Sequence, residues 1–182
     1  VQTCALPILA FNFQVVLPLF VTRDLRGKAQ TFTLLYSVLS AGSFVGALGT
    51  ARRRQVTLRM VVVGATAFGV SMVALAAVPS LPFAFLVAAF VGGSSIAFMT
   101  SSTALVQTEA GPDMRGRVLA LQSMVFLGST PLGGPVLGAV CELLGARAGL
   151  LVGGLGALAA AAFGVWAVRR TARPPAALPV AG

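Results

Sequence analysis

The sequence predicts an all-α membrane protein, with six transmembrane helices arranged as two inverted three-helix repeats. Composition is the first ground for this. The chain is 57% hydrophobic and only 9% charged, where a soluble domain carries about 25% charged residues, and its mean hydropathy is +0.95. The second ground is pattern: charges gather in short connectors between apolar runs close to the ~20 residues that span a bilayer. The third is the stretch 110–139, AGPDMRGRVLALQSMVFLGSTPLGGPVLGA. Its apolar part carries Gly128, Pro131, Gly133, Gly134, Pro135 and Gly138. In a soluble helix each Gly costs about 1 kcal/mol and each Pro about 3 kcal/mol. In a bilayer an unpaired backbone group costs more, so such a helix persists there. Small residues then allow close helix packing, and prolines bend the helix.

The same composition excludes several functions. The net charge of +9 would suit nucleic acid, but the arginines lie between apolar runs rather than on one polar surface. There is no His, and the acids number four, too few for a zinc site or a Ser-His-Asp centre. Cys4 and Cys141 form neither a CxxC pattern nor a disulfide framework. No cofactor is expected.

Residues 1–8, VQTCALPI, match the translation of a short-read sequencing adapter, GTT CAG ACG TGT GCT CTT CCG ATC. The other reading is a genuine apolar helix start. On the adapter reading these residues leave the fold, and the protein continues upstream of Leu9. The first apolar run, residues 9–21, is too short to span on its own. It carries Asn12, Phe13 and Gln14, with Pro18 near its end. A polar connector, 22–31, holds Arg23, Asp24, Arg26 and Lys28. In the second span, 32–50, Tyr36, Ser40, Ser43 and Ala47 recur at helical spacing, and Gly42, Gly46 and Gly49 form another face. The glycine face reads as packing; the Tyr36 face reads either as packing or as cavity lining. Arg52, Arg53, Arg54 and Arg59 precede the third span, 60–78, and Pro79-Ser80-Leu81-Pro82 forms a turn. The fourth span, 83–106, is rich in Ser and Thr, most of which are expected to bond back to their own helix. Gly92-Gly93 marks a close approach or a flexible point. The fifth span, 118–140, contains Gln122 and Phe126, and the sixth runs over 149–168. Residues 171–182 read as a disordered tail.

Six spans place nine of the thirteen Lys and Arg residues on one side and Arg23, Arg26, Lys28 and Arg147 on the other. The positive-inside rule makes the richer side, and with it the C-terminus, cytoplasmic. Three spans plus three is the arrangement of a transporter half built from inverted repeats.

Gln107, then Pro112-Asp113-Met114-Arg115-Gly116-Arg117-Val118, then Pro131-Leu132-Gly133 and Gly138 carry a resemblance. Over residues 9–170 the chain resembles the C-terminal six-helix half of a major facilitator superfamily transporter, in the bacterial drug- and siderophore-export branch. Gly46 to Arg54 resembles the basic loop motif of that superfamily, without its usual acid. The resemblance implies half of a twelve-helix transporter fold in a bacterial plasma membrane, working by alternating access with a missing N-terminal six-helix half. The first, second, fourth and fifth spans would face the cavity. Two functions follow: an exporter of amphipathic small molecules, or a structural or assembly protein of the membrane that moves nothing. A membrane enzyme is not expected, because no His, Asp, Glu or Lys lies in mid-membrane.

Candidate substrate contacts are Asn12, Gln14, Tyr36, Ser40, Ser95 and Gln122, with Phe13 and Phe126 as apolar partners. Asp24, Glu109, Asp113 and Glu142 all lie at span ends, so a proton-carrying group, where the coupling ion is a proton, is expected in the missing half. Glu109, Asp113, Arg115 and Arg117 form a candidate cytoplasmic latch. Pro112 favours extended geometry before it and Gly116 permits a turn; on an extended turn both arginines point the same way, whereas on a helix start they diverge. The other reading is that these arginines anchor lipid headgroups and set orientation.

Overall fold

The structure, a computed structural model, describes residues 13–24, 28–52, 56–111 and 113–171. All their regular secondary structure is helical. Helix α1 is Phe13–Leu19, continuing as a π-helical segment Phe20–Asp24; α2 is Ala29–Ala51, α3 Leu58–Ala77, α4 Leu81–Glu109, α5 Arg115–Leu144 and α6 Ala146–Thr171. Four of these, α2, α3, α4 and α6, are long and apolar enough to cross a membrane. In α5 the apolar stretch among the described residues is Gly133–Leu144.

The helix ends differ from the expected span ends, in one direction. Helix α2 already begins at Ala29, α4 runs on to Glu109, and α5 begins at Arg115. Hydropathy marks where hydrocarbon would end, whereas a hydrogen-bond ladder continues into water. Within α1, Pro18 removes one backbone donor, and the ladder widens into the π turn just after it. The Thr22 hydroxyl donates to the Pro18 carbonyl oxygen at 2.8 Å. Between α5 and α6 a single residue, Gly145, turns the chain at φ 88°, where a side chain would be strained.

Glycines set the closest crossings. A Cβ at Gly42 would fall on the Ala89 carbonyl, one at Gly46 on that of Gly93, and one at Gly92 on that of Leu39. Backbone therefore lies on backbone between α2 and α4, the tight approach expected of the glycine face and of Gly92-Gly93. Gly49 meets nothing within 4 Å, so it does not share that packing. The glycines of α5 that were expected to pack tightly, Gly128, Gly134 and Gly138, also meet nothing within 4 Å. This narrows the expectation for that stretch: Gly128 is exposed and Gly134 and Gly138 are half-buried with room for a side chain, while Gly133 is buried.

The contacts also fix relative direction. Gly42 pairs with Ala89 and Gly46 with Gly93, so both numbers rise together and α2 runs parallel to α4. On α3, Gly64 meets Phe98 and Ser71 meets Ser94, so α3 and α4 are antiparallel. Gly69 meets Gly154 and Leu158, while Val62 meets Gly164, so α3 and α6 are antiparallel too. A chain that crosses a layer alternately must show these relations. The main core joins Leu17 and Phe20 with Leu35, Phe68, Met72, Leu75, Leu137 and Leu150. A smaller cluster, Val61, Ala65, Phe98 and Ala161, closes the other end of α3. Coverage is uneven: the most apolar windows of α3 and α6 are 39% and 44% buried, and that of α2 only 11%.

Candidate functional site

The candidate residues separate into three places. On the uncovered flank of α2, Tyr36 and Ser40 are exposed. The Tyr36 ring packs beside Phe32 with centroids 6.0 Å apart. The Ser40 hydroxyl donates to the Tyr36 carbonyl oxygen at 2.9 Å. Ser43, grouped with them by spacing, is instead half-buried, donates to the Leu39 carbonyl oxygen at 3.0 Å and abuts Gly92.

Ser95 is on packed ground. It is 3% exposed and its hydroxyl donates to the Gly92 carbonyl oxygen at 2.8 Å. Ser94 behaves alike, donating to the Phe90 carbonyl oxygen at 2.6 Å, and also meets the Ser71 hydroxyl at 3.2 Å. These hydroxyls are satisfied by their own helix and stitch α3 to α4.

The third place is the junction of α4 and α5. Gln122 Nε2 donates to Thr103 Oγ1 at 3.3 Å, a long bond against a usual ~2.9 Å. Gln122 Oε1 is buried without a partner. Thr103 belongs to an open groove of about 360 Å³ lined by Ile96, Met99, Thr100, Thr103, Ala104 and Gln107. The groove has a simple origin. Gly46 of α2 is level with Gly93 of α4, so α2, ending at Ala51, stops near Phe98 while α4 continues to Glu109. The overhanging part of α4 has lost its α2 neighbour. The sequence reading chose Gln122 but missed Thr100, Thr103 and Gln107, whose spacing of three and four residues puts them on one helical face.

Register also shows which residues are not brought together. Tyr36 and Ser40 lie level with the start of α4. At 1.5 Å rise per residue, Thr103 and Gln122 are about 25–30 Å further along the bundle. The α2 pair and the α4–α5 pair therefore do not form one site. Asn12 lies outside the described residues, as do the side chains of Phe13, Gln14, Glu109 and Phe126.

The connector between α4 and α5 takes the helix-start geometry. It is not an extended turn through Arg117, since the helix begins at Arg115. Met114 N–H bonds to the Gly111 carbonyl oxygen at 2.9 Å, and Val118 N–H to that of Met114 at 3.0 Å. Two positions apart on a helix, Arg115 and Arg117 diverge by about 200°. Arg115 Nε instead donates to the Ala110 carbonyl oxygen at 3.3 Å, on the residue that ends α4. Asp113, Arg115 and Arg117 are all exposed.

Membrane-length helices crossing through glycines, with polar groups along uncovered faces, define a multi-pass membrane protein of transporter type. Residues 1–174 match the family model of the transmembrane secretion effectors, and the chain belongs to that family, an MFS-type transporter family. No curated protein and no solved structure is significantly similar to it.

Proposed function

We propose that the chain is the C-terminal half of a secondary active transporter that exports amphipathic small molecules by alternating access. It would cross a bacterial plasma membrane six times, with its C-terminus in the cytoplasm and an N-terminal six-helix half as partner. One observation carries the reading. The glycine crossings of α2 with α4, and of α3 with α6, are closed, whereas Tyr36 and Ser40 on α2 and Gly128 on α5 are exposed, and Gly134 and Gly138 are half-buried with room beside them. A rigid block with one small-residue, partly polar side open is what a second half could rock against. Protons are the coupling ion in this proposal, carried by the other half. Glu109, Asp113, Arg115 and Arg117 would act at the cytoplasmic end, with Arg115 holding the end of α4.

The test is flux by the full-length protein in proteoliposomes. An imposed proton gradient should drive amphipathic dyes across the membrane against their own gradient. Absence of gradient-driven movement for a chemically varied dye set would leave the structural membrane protein as the surviving reading.

A further inference from the structure

We propose that the groove beside the α4–α5 junction is a binding subsite for amphipathic molecules that carry a hydrogen-bond donor, an O–H or N–H group. The proposal rests on the transporter reading and adds the chemical class and the residues that select it. Three observations converge. The groove, of about 360 Å³, falls within the 300–1,000 Å³ range of small-molecule sites. Its lining is mixed: Ile96, Met99 and Ala104 offer apolar contact, while Thr100, Thr103 and Gln107 offer hydroxyl and amide groups. Behind that lining, Gln122, whose Nε2 is bonded to Thr103 of the groove, keeps a buried, unpartnered oxygen.

That orphan acceptor decides the class of ligand. A buried carbonyl without a partner has lost its water and gained nothing in exchange. Its own amide nitrogen is engaged with Thr103 Oγ1 at 3.3 Å, a bond long enough to be exchanged at small cost. A ligand with an O–H or N–H group entering the groove can donate to Thr103 Oγ1, or to Gln122 Oε1 once the amide turns toward it. A molecule of the same shape without a donor would break the same bond and satisfy neither oxygen. Among the described residues no acid lines the groove, so the proposal does not call for a positive charge on the ligand. The Gln122–Thr103 bond also ties α5 to α4, so a ligand that replaces it loosens α5 at the same moment.

The experiment uses the full-length protein in nanodiscs with Thr100→Cys as a reporter in the groove. The rate of N-ethylmaleimide labelling at that position is read by mass spectrometry of the peptide. Two probes are compared: N-phenyl-1-naphthylamine, which has one N–H, and its N-methylated counterpart, which has none. Both partition into lipid, so lipid loading alone would affect labelling equally. The donor-bearing probe should slow labelling about tenfold, and the methylated one should have little effect, the difference one satisfied buried acceptor makes. Gln122→Ala should reduce protection by the donor-bearing probe to the level of the methylated one. Thr103→Val, which keeps the side chain's shape, should do so in part, and it serves if Gln122→Ala fails to fold. Equal protection by the two probes, or absence of protection by either, overturns the proposal. So does donor-selective protection that survives both substitutions. The wider reading is judged separately by flux: transport without protection sinks the subsite alone, and protection without transport sinks the transporter reading alone.

Discussion

Gly92→Ala is the most informative single substitution, because the structure predicts its sign against the usual trend. On helical propensity alone, Gly→Ala should stabilise a helix interior by about 1 kcal/mol. At Gly92, however, the new Cβ lands on the Leu39 carbonyl oxygen, with the Leu39 carbonyl carbon and the Ser43 hydroxyl each 2.9 Å away. Two of these three atoms are backbone and cannot rotate aside, so α2 and α4 must move apart by about 1 Å. Overpacking of this kind costs about 1–3 kcal/mol, which exceeds the propensity gain. Gly49 supplies the control on the same pair of helices, since a Cβ there meets nothing within 4 Å and only the propensity gain applies. Gly92→Ala should therefore be less stable than Gly49→Ala by about 1–3 kcal/mol. Unfolding of the full-length protein in lipid, followed by steric trapping or detergent titration, measures the difference. Equal stability of the two variants would refute the close crossing of α2 and α4.

Other consequences are as readily tested. Thr57 and Ser80 sit at the starts of α3 and α4 without side-chain capping bonds, so Thr57→Cys and Ser80→Cys should fold; the first should react with an impermeant maleimide only from the cytoplasm and the second only from outside. Reversed labelling would overturn the orientation. Arg115→Ala frees the Ala110 carbonyl that Arg115 holds at 3.3 Å. Being exposed, the bond is worth under about 1 kcal/mol, so stability should barely change while gradient-driven flux slows, and Arg117→Ala should slow it less; the opposite ranking would tell against Arg115 as the holding residue. Neutralising Asp24, Glu109, Asp113 or Glu142 singly should leave proton-driven flux coupled, and loss of coupling at any one of them would place the proton path in this half.

Much of the fold is legible from hydropathy and small-residue spacing. The helix positions follow the apolar runs, and the pairing of the Gly42–Gly46 face with a close neighbour follows from the absence of side chains there. What periodicity cannot reveal is which neighbour covers which face, and how far. Gly49 shares a face with Gly42 and Gly46 by spacing, yet it lies open. Ser43 falls beside Tyr36 and Ser40 on a helical projection, but it sits at the edge of the face that meets α4 and is drawn against Gly92. The site was less legible for the same reason. Ser95 and Gln122 look equivalent as polar residues in apolar runs. Burial against its own helix satisfies one, and burial at the α4–α5 junction leaves the other with an unpaired oxygen; the overhang of α4 past the end of α2 opens the groove beside it. Relative helix length, which creates that overhang, is a property of the assembled bundle.

The helix that breaks most local rules is also among the least covered. Helix α5 contains Pro131 and Pro135 within its span, and each removes a ladder bond. Gly128, Gly134 and Gly138 could be excused as packing residues only if something packed on them, and a Cβ at these positions meets nothing within 4 Å. At these three positions, then, α5 carries the cost of glycine without the compensation of close contact. Sequences usually tolerate such local conflict where another demand requires it. Two demands are consistent with the open side: a partner half seated on the glycines, and bending of the helix at its prolines as that partner moves. Both act at the end of α5 away from Arg115, while the Gln122–Thr103 bond holds the other end to α4. A helix tethered near one end, weakened in its middle and packed on the core through Leu137 and Cys141 beyond is suited to carrying a change at the groove to the face where the two halves would meet.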